Sequence, residues 1–237
     1  MRNRLILFVF LLPLWTGCGV VQQWRTLVSA RLQAAAFTQF AAALGQGATD
    51  IVSQLAQPGG FLNDPRVRIL LPPPLGLAVG VVAELKENPD ARLLEVLLNQ
   101  AAEHAIPVAG PVLAQAVGQL EPATVGQLLN GDPGAATQYL RERTETELRQ
   151  AVLPEIAAHL SRSGALRTYG DLRRVITGAR AELETVAAAP LPEPPADLSE
   201  YVAGQAVAGV FRLLGEQEQA IRARLQELGP AAVGGAQ

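Results

Sequence analysis

The chain of 237 residues holds two histidines, His104 and His159. Each has a carboxylate close in sequence. Glu103 precedes His104, and Glu155 lies four residues before His159, one helical turn away, so that pair can share a face. An imidazole beside a carboxylate could work as a general base or supply two metal ligands. The plainer reading of Glu155 and His159 is a surface ion pair. For His104 it is a cation near a proline-ended helix C-terminus, where it complements the dipole. The second candidate is the segment from Asn130 to Thr144. Asn130-Gly131 and Asp132 set a turn beside a helix start, whose free N–H groups can bind an anion, although Asp132 competes for them. Thr137, Tyr139, Arg141 and Arg143 then line the first turns. Asn130, Asp132, Thr137, Tyr139 and Arg141, joined by Arg66 and Arg68, form a polar set that could bind a glycan, a lipid headgroup or a partner carboxylate. The plainer reading makes them a buried cap-and-tyrosine network docking the helix onto Arg66-Val67-Arg68, with Asp64 and Asp132 paired to the arginines. No HExxH, GxSxG, P-loop or dinucleotide-binding pattern occurs, so no catalytic residue, metal site or cofactor is expected.

Cys18 is the single cysteine. It follows a short basic start (Arg2, Arg4) and an apolar run from Leu5 to Trp15, too short to cross a bilayer as a helix and suited to a secretion signal. Trp15-Thr16-Gly17-Cys18 resembles the bacterial lipobox, with Trp15 where leucine is usual. A thiolate is the nucleophile that thioether formation with a diacylglycerol requires. That resemblance implies residues 1–17 as a lipoprotein signal peptide and 18–39 as a lipidated tether. Acyl chains such as palmitate on Cys18 would hold the protein to a membrane. Gly19 is not the aspartate that marks retention in the inner membrane in many Gram-negative lipoproteins. The expected location is therefore the outer membrane of a bacterial envelope, facing the periplasm.

The rest of the chain must position these groups. Ala and Leu supply 75 residues, and aromatics make up 5%. Both are strong helix formers, which points to an all-α protein with an aliphatic core. The net charge of −3 argues against a general nucleic-acid binder, which needs a basic footprint. Apolar spacing predicts helices over Phe40–Gln57, Leu75–Glu84, Ala91–Ile106 (with Asp90 as cap), a stretch from Val112 to Leu120, a short helix from Pro122 and a long one opened by Asp132-Pro133. Asn130-Gly131 is expected as a left-handed C-cap. Along the long helix Ala136, Leu140, Thr144, Leu148, Val152, Ile156 and Leu160 repeat every four residues. Further helices are expected over Tyr169–Val186 and Leu198–Leu228, joined by a proline-rich linker. Phe61–Leu75 carries four prolines and cannot be regular helix. Its Val67, Ile69 and Leu71 alternate with Arg66, Arg68 and Leu70, so a short extended arm lying across helices, or a two-stranded patch, is expected. The result is a multi-helix bundle over 40–228 with one proline-rich arm and a disordered tail over 229–237.

Three stretches resemble a bacterial envelope family, domain of unknown function 4197. They are Ile51–Leu55 through Phe61–Ile69, Leu98–Glu103 with Pro107 running to Leu128-Leu129-Asn130-Gly131, and Ala135–Arg141 with Thr144 and Pro154. Asp197-Leu198 and Tyr201-Val202 fit as well. The resemblance spans roughly Phe40 to Arg222. It implies a helical domain, often behind a lipoprotein signal, and no established reaction. The expected function is a non-enzymatic binding or scaffolding module of the envelope, with an envelope protein or lipid as partner and no nucleic acid. A carrier of an apolar ligand in a helical cavity is the first alternative; an apolar pocket above ~300 Å³ would favour it. A hydrolase of an envelope substrate is the second, and would need His104 or His159 in a cleft with a carboxylate.

Overall fold

The computed structural model describes residues 17–81, 88–187 and 190–227. The expected signal segment before Gly17 and the tail after Leu228 lie outside the described residues. Helix α1 runs Gly17–Leu55 and α2 Leu75–Val81. Then come α3 Pro89–Ala105, a 3-10 turn at Ile106–Val108, α4 Ala109–Gly118 and α5 Pro122–Asn130. The long α6 is Ala135–Arg162, followed by α7 Ala165–Gly178, α8 Arg180–Val186 and α9 Leu198–Glu227. No strand occurs among the described residues.

The bundle forms because four long helices bury apolar stripes against each other. α9 packs on α6 and α1, and α3 packs on α6. The four-residue repeat of α6 is buried at every position from Ala136 to Leu160. α9 carries its apolar residues almost all round in its first half, as a central helix must, and Val202, Val207, Val210 and Phe211 are buried. Three phenylalanines, Phe40, Phe61 and Phe211, sit fully inside an otherwise aliphatic core.

Several boundaries differ from the sequence reading, each for a local reason. α1 is one unbroken helix of 39 residues, because no proline falls between Gly17 and Leu55; the tether and the first core helix are one rod. The side chain of Asn88, not Asp90, caps α3, accepting from the Asp90 N–H, with Pro89 in the first turn. The predicted helix over Tyr169–Val186 is two, divided at Ala179. Gly131 is extended (φ −81°, ψ −174°) rather than left-handed. Gly134 takes the left-handed conformation instead (φ 92°), as the residue before α6, which is where a side chain would be strained. Asp132 therefore caps nothing from its own side chain; its carbonyl accepts the Ala135 N–H.

Candidate functional site

The polar segment after α5 is organised from α9. Glu218 is fully buried. Its Oε1 accepts from the Ala136 N–H at 3.2 Å, and its Oε2 accepts from the Thr137 N–H at 2.8 Å and the Thr137 hydroxyl at 2.7 Å. These are the orphan donors at the start of α6, where negative charge is stabilised by the helix dipole. One turn on, Arg222 donates to Glu218 Oε1 from Nε at 2.9 Å. Its other nitrogens donate to the Leu129 carbonyl at 2.7 Å and the Leu128 carbonyl at 2.6 Å. These are among the last carbonyls of α5, and that of Leu128 also accepts the Gly131 N–H at 3.3 Å. One ion pair on α9 thus caps two helix ends at once. The guanidinium also donates to the carbonyl of extended Gly131, so the end of α5 is held from α9 without a left-handed cap.

Burial pushes the Glu218 carboxyl up, but its bonds to Thr137, Arg222 and Ala136 outweigh that and leave it below the ordinary glutamate value. A folded-state value below the unfolded one means stability present above the ordinary pKa of about 4.3 and lost as pH falls through the folded value. The difference in melting temperature between wild type and Glu218→Gln is therefore expected to be level from pH 7 to about 4.5 and to close below it. Melting curves at successive pH values check this; a gap that widens on acidification contradicts it.

A second device holds the arm. Residues 61–67 are largely turns closed by backbone bonds such as Val67 N–H to the Asp64 carbonyl, and only 68–71 run free of turn and helix, which shortens the expected extended arm. Phe61, Val67, Ile69 and Leu71 are buried and Leu70 is 61% exposed. The alternation expected of a strand is present without a neighbouring strand. A polar line on α3, Glu95, Asn99 and Glu103, spaced one turn apart, replaces it. Asn99 is fully buried. Its Oδ1 accepts the Ile69 N–H at 2.8 Å, and its Nδ2 donates to the Ile69 carbonyl at 2.8 Å, the two bonds a neighbouring strand would make. Glu103 Oε1 accepts the N–H groups of Phe61 and Leu62 at 3.1 and 3.2 Å. Glu95 accepts from Arg68 at 2.6 Å. From α9, Tyr201 donates to the Leu70 carbonyl at 3.0 Å, and Arg212 donates to the Arg66 carbonyl.

The polar set read from sequence is thus divided. Thr137 is buried and committed to Glu218. Asn130 and Asp132 are exposed. Arg143 stacks over the Tyr139 ring at 4.4 Å, and Arg141 over buried Phe211 at 4.9 Å. Arg66 binds Asp64 and, at 2.6 Å, Glu216, while Arg68 pairs with Glu95. The Asp64–Arg66 pair matches the plainer reading. The docking partner does not, since the start of α6 is capped by Glu218 and not held by Arg66 or Arg68, and among the described residues Asp132 joins no ion pair. Sequence reasoning missed Glu218 and Asn99. The available signal was a carboxylate in phase with the apolar stripe Leu214, Ile221 and Leu225.

The histidines meet. The rings of His104 on α3 and His159 on α6 have centroids 5.3 Å apart, tilted by 42°. Burial, then the charges of His104 and Arg162, hold His159 below the ordinary histidine value. No carboxylate is bonded to either ring among the described residues.

Among the described residues, two hollows bear on function. A polar one of about 340 Å³ lies along α6 and reaches α9, with Arg141, Glu145, Arg149 and Glu200 in its walls; the Arg149–Glu200 ion pair at 3.1 Å bridges it. The other is an apolar groove of about 690 Å³, open to solvent. α1 forms one wall with Ala34, Phe37 and Ala41, and Val117, Leu120 and Val125 of the α4–α5 corner form the other. Phe37 lies on the backbone of α5 at Gly126, where an added Cβ would come within 2.9 Å of the ring.

The molecule is thus an all-helical bundle with a strapped-down arm, an ion pair clamping two helix ends, and an apolar groove beside its first helix. The chain belongs to a family of proteins of unknown function, DUF4197, whose model matches residues 32–230. No curated protein and no solved structure matches it.

Proposed function

We propose that this chain is a lipoprotein of the bacterial envelope, anchored through Cys18 with its helical domain facing the periplasm. The domain is a non-enzymatic binding module, and its ligand is a single acyl chain of an envelope lipid held in the α1/α4/α5 groove. The groove carries this reading. Its volume of about 690 Å³ falls within the ~300–1,000 Å³ typical of small-molecule sites. Its lining has no charged residue, and Gln33 and Thr38 are among its few polar ones. Small side chains at Ala34, Ala41, Ala42 and Ala123 leave a channel that suits a slender aliphatic chain better than a bulky headgroup. The anchor's own acyl chains are taken up by the membrane, so the occupant is a separate lipid; Ala34 lies about 24 Å along α1 from Cys18 at ~1.5 Å per residue. No helix among the described residues is long and apolar enough to cross a membrane.

A fluorescent fatty acid titrated into the detergent-solubilised protein tests the groove. Saturable binding at one site is expected. Ala123→Glu is expected to weaken it by more than roughly tenfold, because a carboxylate must be desolvated against the bound chain. Ala123 is exposed, so the melting temperature should stay within about a degree, as surface changes allow. Equal binding by both proteins, or no saturable binding, contradicts the assignment.

A further inference from the structure

The two imidazoles are 55 positions apart in sequence, and they are the chain's whole histidine complement. The packing of α3 on α6 nevertheless brings the two rings together. Their ring separation is also informative. With metal–nitrogen bonds of about 2.05 Å, ring centres stand about 3.2 Å from an ion, hence about 5.2 Å apart at a tetrahedral angle. The observed value is 5.3 Å. Neither ring makes a hydrogen bond among the described residues, and His159 has no nitrogen buried without a partner. The nitrogens are therefore open to a ligand rather than spent on the fold.

We propose that His104 and His159 together bind one divalent first-row transition-metal ion, which staples α3 to α6 with water filling its remaining positions. This departs from the expectation of no metal site. No third histidine, cysteine or carboxylate joins the pair among the described residues, and Arg162 adds opposing charge. The site is therefore exchangeable rather than a closed structural one, and it follows the Irving–Williams order, with Cu²⁺ bound most tightly. It is independent of the groove.

The test uses the full chain, stripped with chelator and titrated with Cu²⁺, Ni²⁺ and Co²⁺ by calorimetry, with paramagnetic resonance of the Cu²⁺ form. One Cu²⁺ per chain is expected, with weaker Ni²⁺ and still weaker Co²⁺, two coordinated nitrogens in the resonance spectrum, and a melting temperature that rises with metal concentration. His104→Ala and His159→Ala should each weaken Cu²⁺ binding by roughly tenfold or more and leave one nitrogen. His104 is exposed, so its variant folds normally and keeps the comparison valid. Copper binding that survives both substitutions, or a wild-type spectrum with one nitrogen, overturns the proposal.

Discussion

Replacing Glu218 with alanine is expected to cost about 3–5 kcal/mol, the loss typical of removing one partner of a buried ion pair. Three donors at the start of α6 lose their acceptor together: the Ala136 N–H, the Thr137 N–H and the Thr137 hydroxyl. The Arg222 guanidinium, 11% exposed, keeps its carbonyl partners and loses its counter-charge. Glu218→Gln preserves shape and can still accept one bond, so it should lose less, about 1–3 kcal/mol. Arg222→Ala should be costly too, and the double variant less than additive, because each residue satisfies the other. Urea unfolding of the wild type and the four variants measures this directly. A Glu218→Ala loss below about 1 kcal/mol would mean that the capping contributes no more than a surface ion pair.

Asn99→Ala is the second large effect. It strips the arm of its surrogate strand, leaving the Ile69 N–H and carbonyl without partners beside a 1% exposed side chain. Each unsatisfied buried backbone group costs about 1–3 kcal/mol, so a total near 3 kcal/mol is expected. The position of the loss distinguishes it from Glu218→Ala. Hydrogen exchange should rise first over residues 61–71, where the arm is held by side chains, before the long helices open. Unchanged protection at Ile69 would show that apolar burial of Val67, Ile69 and Leu71 holds the arm without Asn99.

These two residues also mark how far the sequence could be read. Patterns confined to one element were legible. The four-residue repeat from Ala136 to Leu160 and the alternation from Val67 to Leu71 both face the core as read, since side-chain direction follows from helix and strand geometry alone. The left-handed cap at Gly131 was not borne out, because local propensity assumes that the last carbonyls must satisfy themselves. Arg222, 91 positions later, reaches that turn from another helix. The division at Ala179 was equally invisible in a stretch without proline. Of the polar set, residue type identified Thr137 as part of a cap, while its partner depended on which helix packs against α6. The histidine meeting and the groove belong to the same class: α3 against α6, and α1 against the α4–α5 corner, are packing outcomes that no local spacing encodes.

The central claim, an acylated protein carrying an apolar ligand, is tested most directly by native mass spectrometry of the protein extracted from envelopes in mild detergent, beside its Ala123→Glu variant. The expected spectrum shows a polypeptide beginning at Cys18 with covalent acyl mass, plus one further lipid that leaves on activation and is missing from the variant. An unmodified N-terminus, or a bare polypeptide carrying no second lipid, would contradict it.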